Sequence, residues 1–463
     1  MAQEQAKFLT GNLFTHVSVM SLAGSVGLMA IFAVDFIDML FISMLGKSEL
    51  AAAVGYAGAI LFFTTSFSIG IAIAAGAMAA RSLGAGDVEG AREQATSTLI
   101  YGVIFSAIFA AVVWVNLGAL VAILGATGET ADLAVHYLAI IVPSLPLLMI
   151  GMIGGALLRA HGDARRAMYA TIFGGLMNAV LDPILIFGLG LDLTGAALAS
   201  VAARVVIAAT SLVPIMHSYG GIARPKPRRL VRDLVPLLAI AVPATLTQLA
   251  TPVGQAYVTR AMAEYGEAAV AGMAIVGRLV PLSFAAIFAL SGAVGPIFGQ
   301  NFGAGNRDRV RGAFNAALTF IGLYVLLVAA LLFALRGPIV TLFNADGITQ
   351  DLIFLFCGPL ALLYFFNGML FVANAAFNNL SHPFYSTWMN WGRHTLGTIP
   401  FVMLGGALLG APGVLIGQAF GGVLFGLLAY RLALNVLQEP DLTPGAAPFQ
   451  RQSRLMQIFH NRR

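Results

Sequence analysis

The segment Arg81-Ser82-Leu83-Gly84-Ala85-Gly86-Asp87 recurs 219 positions later as Gln300-Asn301-Phe302-Gly303-Ala304-Gly305-Asn306. Each copy follows a long apolar stretch, and five of the 19 residue pairs that begin with these segments are identical. Similarity at a fixed spacing is typical of a chain built from two related halves. The pattern therefore predicts a duplicated fold.

The composition places this duplicated chain in a membrane. It has 463 residues, of which 59% are hydrophobic and only 10% are charged, and its mean hydropathy is +0.89. A soluble domain carries about 25% charged residues. The composition excludes an ordinary soluble protein, a disordered chain and a protein that binds nucleic acid through a broad basic face. The single cysteine, Cys357, excludes an intramolecular disulfide and is interpreted as a small apolar helix residue.

The number of membrane spans follows from the apolar stretches. A helix needs about 20 apolar residues to cross the hydrocarbon core, and breaks at charged and Gly/Pro/Asn clusters leave twelve such stretches. They are 17–43, 52–79, 95–117, 133–157, 168–190, 194–216, 236–260, 268–298, 313–335, 351–377, 386–409 and 413–436. The sequence thus predicts an all-α membrane protein with twelve transmembrane helices.

The orientation follows from the loops. If loops alternate between two sides, 19 Lys and Arg residues fall on the side that holds both termini, and three, Lys47, Arg260 and Arg336, fall on the other. Cytoplasmic loops collect basic residues, so both termini are expected in the cytoplasm. Six spans, an even number, separate the repeat copies, so the halves are expected to be parallel repeats with a cavity where they meet. A duplicated scaffold without a transport role is the alternative.

The expected domains follow from the basic, proline-containing stretch at the middle of the chain. Residues 1–217 are expected to form the N-terminal six-helix lobe and 218–234 a cytoplasmic basic linker. Residues 235–437 would form the second six-helix lobe, and 438–463 a cytoplasmic tail.

Ionisable residues inside the predicted spans mark candidate functional positions, because a charge at the bilayer centre is costly. Six of them stand clear of the loops, three acids and three bases, namely Asp35, Asp38, Asp182, Arg204, Arg278 and Arg393. All three acids lie in the first half, which favours a cation site there. The arginines are interpreted as gating or structural residues, with Arg393 reaching the cytoplasmic interface.

The acids can be grouped by helix spacing. Asp35 and Asp38 are three apart and can share a helix face, as can Asn178 and Asp182, which are four apart. Two buried carboxyl groups that face each other can hold a proton near neutral pH, or share Na⁺ once both are ionised. Pro183 can bend the helix beside the acid. For Asp182, the alternative is an ion pair with Arg204. For Asp35, the alternative is a near-surface position.

With these residues in view, the chain resembles the multidrug and toxic compound extrusion (MATE) family over nearly its whole length, and its Leu-Asp-Pro is similar to the DinF-type branch. The segments that carry the resemblance are 37–46, 83–87, 159–163, Asn178-Ala179-Val180-Leu181-Asp182-Pro183, 195–200 and 299–306. The resemblance implies the MATE/MOP-type fold and a cation site at Asp38, Asn178 and Asp182, with Ser200 where relatives have Thr.

The sequence departs from the family pattern at two places. The second-half acids of the branch are absent, and Gln248, Asn367 and Asn374 stand in the corresponding spans. Where the family often has a proline that bends span 1, this chain has Ala23-Gly24. Both a second cation site and the bending of span 1 are therefore open at this point.

The resemblance implies a secondary active efflux antiporter that exports amphipathic, cationic drugs in exchange for H⁺ or Na⁺ by alternating access. A flippase for a lipid-linked precursor is the alternative. Aromatic and Met residues in the spans are candidates for the drug cavity, with lipid contact or packing as the other interpretation. They are Phe62, Phe63, Tyr364, Phe365, Phe366 and Met369.

No catalytic, metal-protease or nucleotide-binding motif is present, so an enzyme is not expected. No cofactor is expected besides the coupling ion, and the only metal considered is Na⁺ at Asp38, Asn178 and Asp182. The expected partners are small cationic drugs and the lipid bilayer of the bacterial cytoplasmic (inner) membrane. The protein is expected to be a monomer.

Overall fold

The computed structural model describes residues 6–45 and 47–439. The predicted tail lies outside this range from residue 440 onward, as do residues 1–5 and Gly46. Nearly every described residue is helical. The helices are α1 (Leu13–Met44), α2 (Ser48–Gly84), α3 (Val88–Val115), α4 (Leu117–Ile123), α5 (Gly128–Ile141), α6 (Leu145–Ala160), α7 (Ala164–Pro183), α8 (Asp192–Ser218), α9 (Pro227–Ala263), α10 (Glu267–Ser283), α11 (Ala285–Gly303), α12 (Arg307–Leu342), α13 (Gly347–Leu355), α14 (Ala361–Asn379), α15 (Pro383–His394), α16 (Ile399–Leu409) and α17 (Ala411–Gln438).

The predicted spans correspond to these helices. Among the described residues, eleven helical stretches are long and apolar enough to cross a membrane. The predicted span 386–409 is not among these eleven stretches, because it is divided into α15 and α16, of 12 and 11 residues. The predicted span 268–298 is also divided, at Phe284 between α10 and α11. By contrast, α1 is one continuous helix of 32 residues.

Breaks inside spans are tolerated where other groups satisfy the freed backbone. Between α15 and α16, the Thr398 hydroxyl donates to the carbonyl of Arg393 at 2.8 Å, and the Gly397 N–H donates to the carbonyl of Gly392 at 2.8 Å. At the other break, the Tyr324 hydroxyl donates to the carbonyl of Ser283 at 2.8 Å.

The repeated Gly-Ala-Gly-Asp/Asn segments are helix connections. Gly86 and Gly305 have φ values of +78° and +71°, which favour glycine because a Cβ is strained there. The next residue caps the following helix: Asp87 accepts from the Gly90 N–H, and Asn306 accepts from the Arg309 N–H. The repeat found in the sequence is thus a turn with an N-cap, used once in each half.

Contacts divide the chain into two compact units. The first, called here the N-unit, contains residues 6–7 and Val26–Thr245, and the second, the C-unit, contains Phe8–Ser25 and residues 246–439. Both α1 and α9 therefore contribute residues to both units. The predicted linker, 218–234, comprises the last residue of α8, the non-helical residues 219–226 and the start of α9.

In the N-unit, a buried ion-pair network holds the start of α9 on α3. Arg229 lies 3.3 Å from a carboxylate oxygen of Glu93 and 3.3 Å from one of Asp233. Ser97 donates to Asp233 at 2.8 Å, and Lys226 pairs with Glu93 at 2.6 Å. The central charges are largely shielded, since Glu93, Arg229 and Asp233 have 12%, 13% and 4% of their side-chain surface exposed.

In the C-unit, the segment before α1 is held by hydrogen bonds from a cation, Arg309, to neutral backbone carbonyls and by a hydrogen bond to a neutral side chain. Arg309 Nη2 donates to the backbone carbonyls of Phe8, Thr10 and Gly11 at 3.0, 3.1 and 3.2 Å. The Phe8 N–H donates to Gln300 Oε1 at 2.8 Å. Each unit thus anchors the segment that leads into a long helix, but with different chemistry.

Candidate functional site

The candidate cation site lies in the N-unit, where α1, α7 and α8 supply Asp38, Asn178 with Asp182, and Ser200. α7 ends at Pro183 and continues as a wide π-helical turn over Ile184–Gly188. Gly195 lets α8 approach that turn, because a Cβ at this position would lie 2.7 Å from the backbone carbon of Leu185. The proline and the glycine therefore shape the backbone next to Asp182.

The amide of Asn178 joins α7 to both neighbouring helices. Its nitrogen donates to the two carboxylate oxygens of Asp38 at 2.8 and 3.1 Å, and its oxygen accepts from the Ser200 backbone N–H at 3.3 Å. This orientation is the one that gives both amide atoms a partner. Three of the residues singled out in the sequence, Asp38, Asn178 and Ser200, are thus brought into direct contact.

Asp182 is completely buried, with 0% of its surface exposed. Its carboxyl group lies within hydrogen-bonding reach of the Asp38 carboxyl group. Neither Asp182 oxygen has a hydrogen-bond donor among the residues that the structure describes. A buried carboxylate that faces a second carboxylate and lacks a donor requires a proton or a cation between the two groups. The pair can therefore hold a proton or a cation.

Tyr137 of α5 is a further member of the site, and the sequence analysis missed it. Its side chain is 7% exposed and interacts with the side chains of Ser200, Asp38 and Asp182. A tyrosine in a span is usually placed at the membrane interface or in packing. The one signal available was that a buried tyrosine hydroxyl needs a polar partner.

Among the described residues, Arg204 and Asp35 form no hydrogen bond with Asp38, Asn178 or Asp182, although Arg204 interacts electrostatically with Tyr137 and Asp35 with Asp38. Arg204 Nη1 donates to the Ile141 carbonyl at 3.0 Å and to the Ser144 hydroxyl at 2.8 Å. It thereby satisfies the end of α5, and within the described residues it forms no ion pair with Asp182. Asp35 lies on an exposed part of α1. The structure therefore differs from the alternative in which Arg204 neutralises Asp182.

The orientation of the Asn178 amide bears on how Na⁺ would fit this site. A Na⁺ ion at this position would call for neutral oxygen ligands beside the carboxylates, but the Asn178 amide directs its nitrogen to Asp38 and its oxygen to Ser200. No group of three or more His, Cys, Asp or Glu that could hold a metal is found among the described residues.

The C-unit contains a buried polar cluster of different composition, formed by α14 and α15. Asn390 Nδ2 donates to Asn374 Oδ1 at 3.1 Å and to the Ser386 carbonyl at 2.8 Å. The Ser386 hydroxyl donates to Asn378 Oδ1 at 3.3 Å. These side chains are buried and carry no charge. Of the neutral residues noted in the sequence where the branch has acids, Asn374 belongs to this cluster.

The remaining arginines occupy dissimilar places. Arg278 lies on the exposed surface of α10. Arg393 is half-buried at the last turn of α15 and interacts electrostatically with Tyr364. It lies ten residues after the first residue of α15.

The candidate drug-cavity residues have different surroundings. Phe62 is 46% and Phe63 49% exposed on α2 of the N-unit, whereas Met369 of the C-unit is 5% exposed. Tyr364 stacks on Phe284 with ring centroids 4.2 Å apart. Phe365 and Phe366 contact each other edge to face at 5.5 Å. Packing therefore accounts for Met369 and Tyr364 more directly than for Phe62 and Phe63.

Comparison with known proteins gives a consistent picture. The family model described as MatE matches residues 25–184 and 243–404. A protein of Shewanella oneidensis named FAD transporter is 28% identical over 430 residues, which cover 92% of this chain and 95% of that protein. The multidrug export protein MepA of Staphylococcus aureus is 26% identical over 345 residues, which cover 74% of this chain and 75% of that protein.

A solved structure shares the fold. A mutant of the Vibrio cholerae MATE transporter VcmN has a TM-score of 0.88 and 23% sequence identity, with 93% of this chain and 98% of that chain covered. The predicted all-α membrane fold is confirmed by this likeness together with the family match.

Proposed function

The chain belongs to the MatE family of transporters, and from that premise we propose that it is a secondary active efflux antiporter that exchanges amphipathic cationic drugs for H⁺. As a family member it is a multi-pass membrane transporter and not an enzyme. The proposal includes membership of the DinF-type branch, the drug class, the coupling ion and the alternating-access cycle. It also includes the monomeric state and a location in the bacterial inner membrane with both termini in the cytoplasm.

The observation that carries the proposal is the pair formed by the half-buried Asp38 and the fully buried Asp182. Asp182 has no donor among the described residues, and it faces the carboxyl group of Asp38. In a low-dielectric site two adjacent negative charges repel strongly. The pair can therefore take up a proton easily and can release it when a cationic ligand favours the ionised form.

The proposed cycle follows from this competition. Protons that arrive from the outer side neutralise the acids and weaken the affinity for a cationic drug, which leaves. On the cytoplasmic side the acids lose the proton, regain negative charge and favour a new drug cation. Asn178 holds Asp38 in place through both stages, and Ser200 and Tyr137 complete the polar lining. Because coupling is reciprocal, bound drug must also lower the proton affinity of the site.

Ethidium efflux from proteoliposomes tests the proposal. The purified chain would be driven by a pH gradient alone and, separately, by a Na⁺ gradient alone. We expect efflux with the pH gradient, lost in Asp182→Asn. The matched control is Asp308→Asn, because the Asp308 side chain is 96% exposed. Efflux driven only by Na⁺ would overturn the assignment of the ion, and equal efflux by Asp182→Asn would overturn the role of the acid pair.

A second candidate substrate is supported by the relative named FAD transporter, which aligns with 92% of this chain. FAD carries phosphate charges, so an ionised acid pair would repel rather than attract it. FAD in the medium of expressing cells would be compared for the wild type and Asp182→Asn. Export of FAD without ethidium efflux would favour this candidate. Failure of both substrates would move the assay to the flippase alternative and a lipid-linked precursor.

A further inference from the structure

A groove lies on the surface of the N-unit between α7 and α8, away from the acid pair. Its volume is about 360 Å³. The lining is mostly apolar and ends in one cation; it consists of Arg166, Tyr169, Ala170, Phe173, Ala209, Thr210, Val213 and Pro214. A phospholipid matches this arrangement, because its acyl chain can lie along the apolar part of the groove while its phosphate reaches the guanidinium at the end.

The groove faces outward from its own unit. The opposite side of α7 packs on α1, where a Cβ at Gly27 would lie 3.7 Å from atoms of Met168 and Thr171. Tyr169 and Phe173 stack on each other with centroids 6.1 Å apart. They remain 47% and 49% exposed. Exposed aromatic surface on a membrane-spanning helix is available to acyl chains.

The charged end of the groove retains free donor capacity. Arg166 Nη1 contacts Asp163 Oδ2 at 3.3 Å and Ser218 Oγ at 3.0 Å, yet 45% of the side chain is exposed. Tyr219 also donates a hydrogen bond to Asp163 at 2.8 Å, so the Asp163 carboxylate is shared between Tyr219 and Arg166. Burial, aided by Asp163, raises the pKa of Tyr219 to about 12, so the hydroxyl keeps its proton at physiological pH.

The position along the membrane agrees with this polarity. The predicted orientation puts the start of α7 and the end of α8 at the cytoplasmic surface, where Arg165 adjoins Arg166. From Arg166 to Phe173 the groove runs about 10 Å along α7 into the span. Basic pockets between helices on the cytoplasmic side suit the head groups of anionic lipids.

We propose that this groove binds one anionic phospholipid, with a chain along Tyr169 and Phe173 and the phosphate on Arg166. The site needs neither drug nor coupling ion, so it is independent of the proposed transport cycle. The occupant is a membrane lipid rather than free phosphate, because the groove is lined mainly by apolar side chains over most of its length.

Native mass spectrometry of the full chain in detergent tests the proposal, with palmitoyl-oleoyl phosphatidylglycerol added and the phosphatidylethanolamine analogue as the neutral lipid. We expect preferential retention of phosphatidylglycerol, unaffected by added inorganic phosphate. Arg166→Gln should weaken retention roughly fivefold, since one basic side chain at an anionic surface contributes about 1 kcal/mol. Ala209→Trp should also weaken it, because Ala209 is exposed in the groove and indole would fill it.

Matched controls separate the site from the general surface. Arg165→Gln removes the same charge one residue away, and Ala107→Trp adds the same ring on an exposed part of α3. Both should retain phosphatidylglycerol as the wild type does. Equal loss in Arg165→Gln and Arg166→Gln, or full retention in Ala209→Trp, would overturn the proposal. Competition by ethidium for the same position would identify the groove as a drug site and would also overturn it.

Discussion

The two units differ most in the chemistry of their buried polar groups. In the N-unit, Asn178 donates to both oxygens of the Asp38 carboxyl group, and Asp182 has no donor among the described residues. In the C-unit, Asn374, Ser386 and Asn390 bond to one another and carry no charge. Only the first arrangement can change its charge by binding a proton. A duplicated fold can thus keep buried polar groups in both halves while only one half carries buried groups that can bind a proton.

The same contrast appears where each unit anchors a leading segment. Arg229 of the N-unit lies between two carboxylates, Glu93 and Asp233. Arg309 of the C-unit donates to backbone carbonyls, including those of Phe8 and Thr10. The charge of Arg229 is balanced by carboxylate charges, whereas that of Arg309 is balanced by carbonyl dipoles. Substitutions in either unit test this difference.

The largest effect is expected from the acid pair. Asp38→Asn or Asp182→Asn should reduce drug efflux driven by a pH gradient by about 5- to 150-fold, the range of ordinary coupling energies. The physical reason is that neither amide can gain or lose a proton. Initial rates in proteoliposomes, normalised to reconstituted protein, measure the effect. Rates within twofold of the wild type would remove the acid pair from the mechanism.

The next effect concerns stability. Arg229→Ala leaves the shielded Asp233 carboxylate without a cation and Glu93 with only the exposed Lys226, and it should lower the free energy of unfolding by about 3–5 kcal/mol. Arg309→Ala leaves only neutral acceptors and should cost about 1.5–3 kcal/mol. Thermal unfolding in detergent compares the two proteins. A larger loss for Arg309→Ala would contradict the difference between charged and neutral anchoring.

A smaller effect is expected in the neutral cluster. Asn390→Ala removes hydrogen bonds to Asn374 and Ser386 and should cost about 1–3 kcal/mol in unfolding free energy. It should leave the ratio of proton-driven to undriven efflux unchanged, because no titrating group is lost. Unfolding curves and gradient-driven efflux on the same preparation check both statements. Loss of coupling without loss of stability would place a transport role in the C-unit.

The smallest effect is expected for Asp35→Asn. Asp35 lies on an exposed part of α1, outside the hydrogen bonds that join Asp38, Asn178 and Ser200. Asp35 interacts with Asp38 only through space, so its loss should leave the acid pair intact, and efflux should stay within about twofold of the wild type. The measurement is the same gradient-driven efflux assay. A loss as large as that of Asp182→Asn would add Asp35 to the ion site.

Much of the fold could be predicted because length and hydropathy report directly on the cost of an unsatisfied backbone in lipid. The breaks at Phe284 and between α15 and α16 could not, since they depend on distant donors such as the hydroxyl of Tyr324. Hydropathy counts the residues of a span and is insensitive to a local interruption.

The candidate site was predicted in part. Helix spacing and the family resemblance selected Asp38, Asn178 and Asp182, and the structure brings them together. The orientation of the Asn178 amide depends on both Asp38 and the Ser200 N–H, which no single segment of sequence reveals. Arg204 illustrates the same limit, because its partners at Ile141 and Ser144 are more than 50 residues away.

The central claim is that drug and proton compete through the acid pair of the N-unit. Proton release on ethidium binding, followed in weakly buffered detergent solution with a pH indicator, tests it without a membrane or a gradient. The account predicts release by the wild type and by Asn390→Ala, and none by Asp182→Asn that still binds ethidium. Equal release by Asp182→Asn and the wild type would contradict the account.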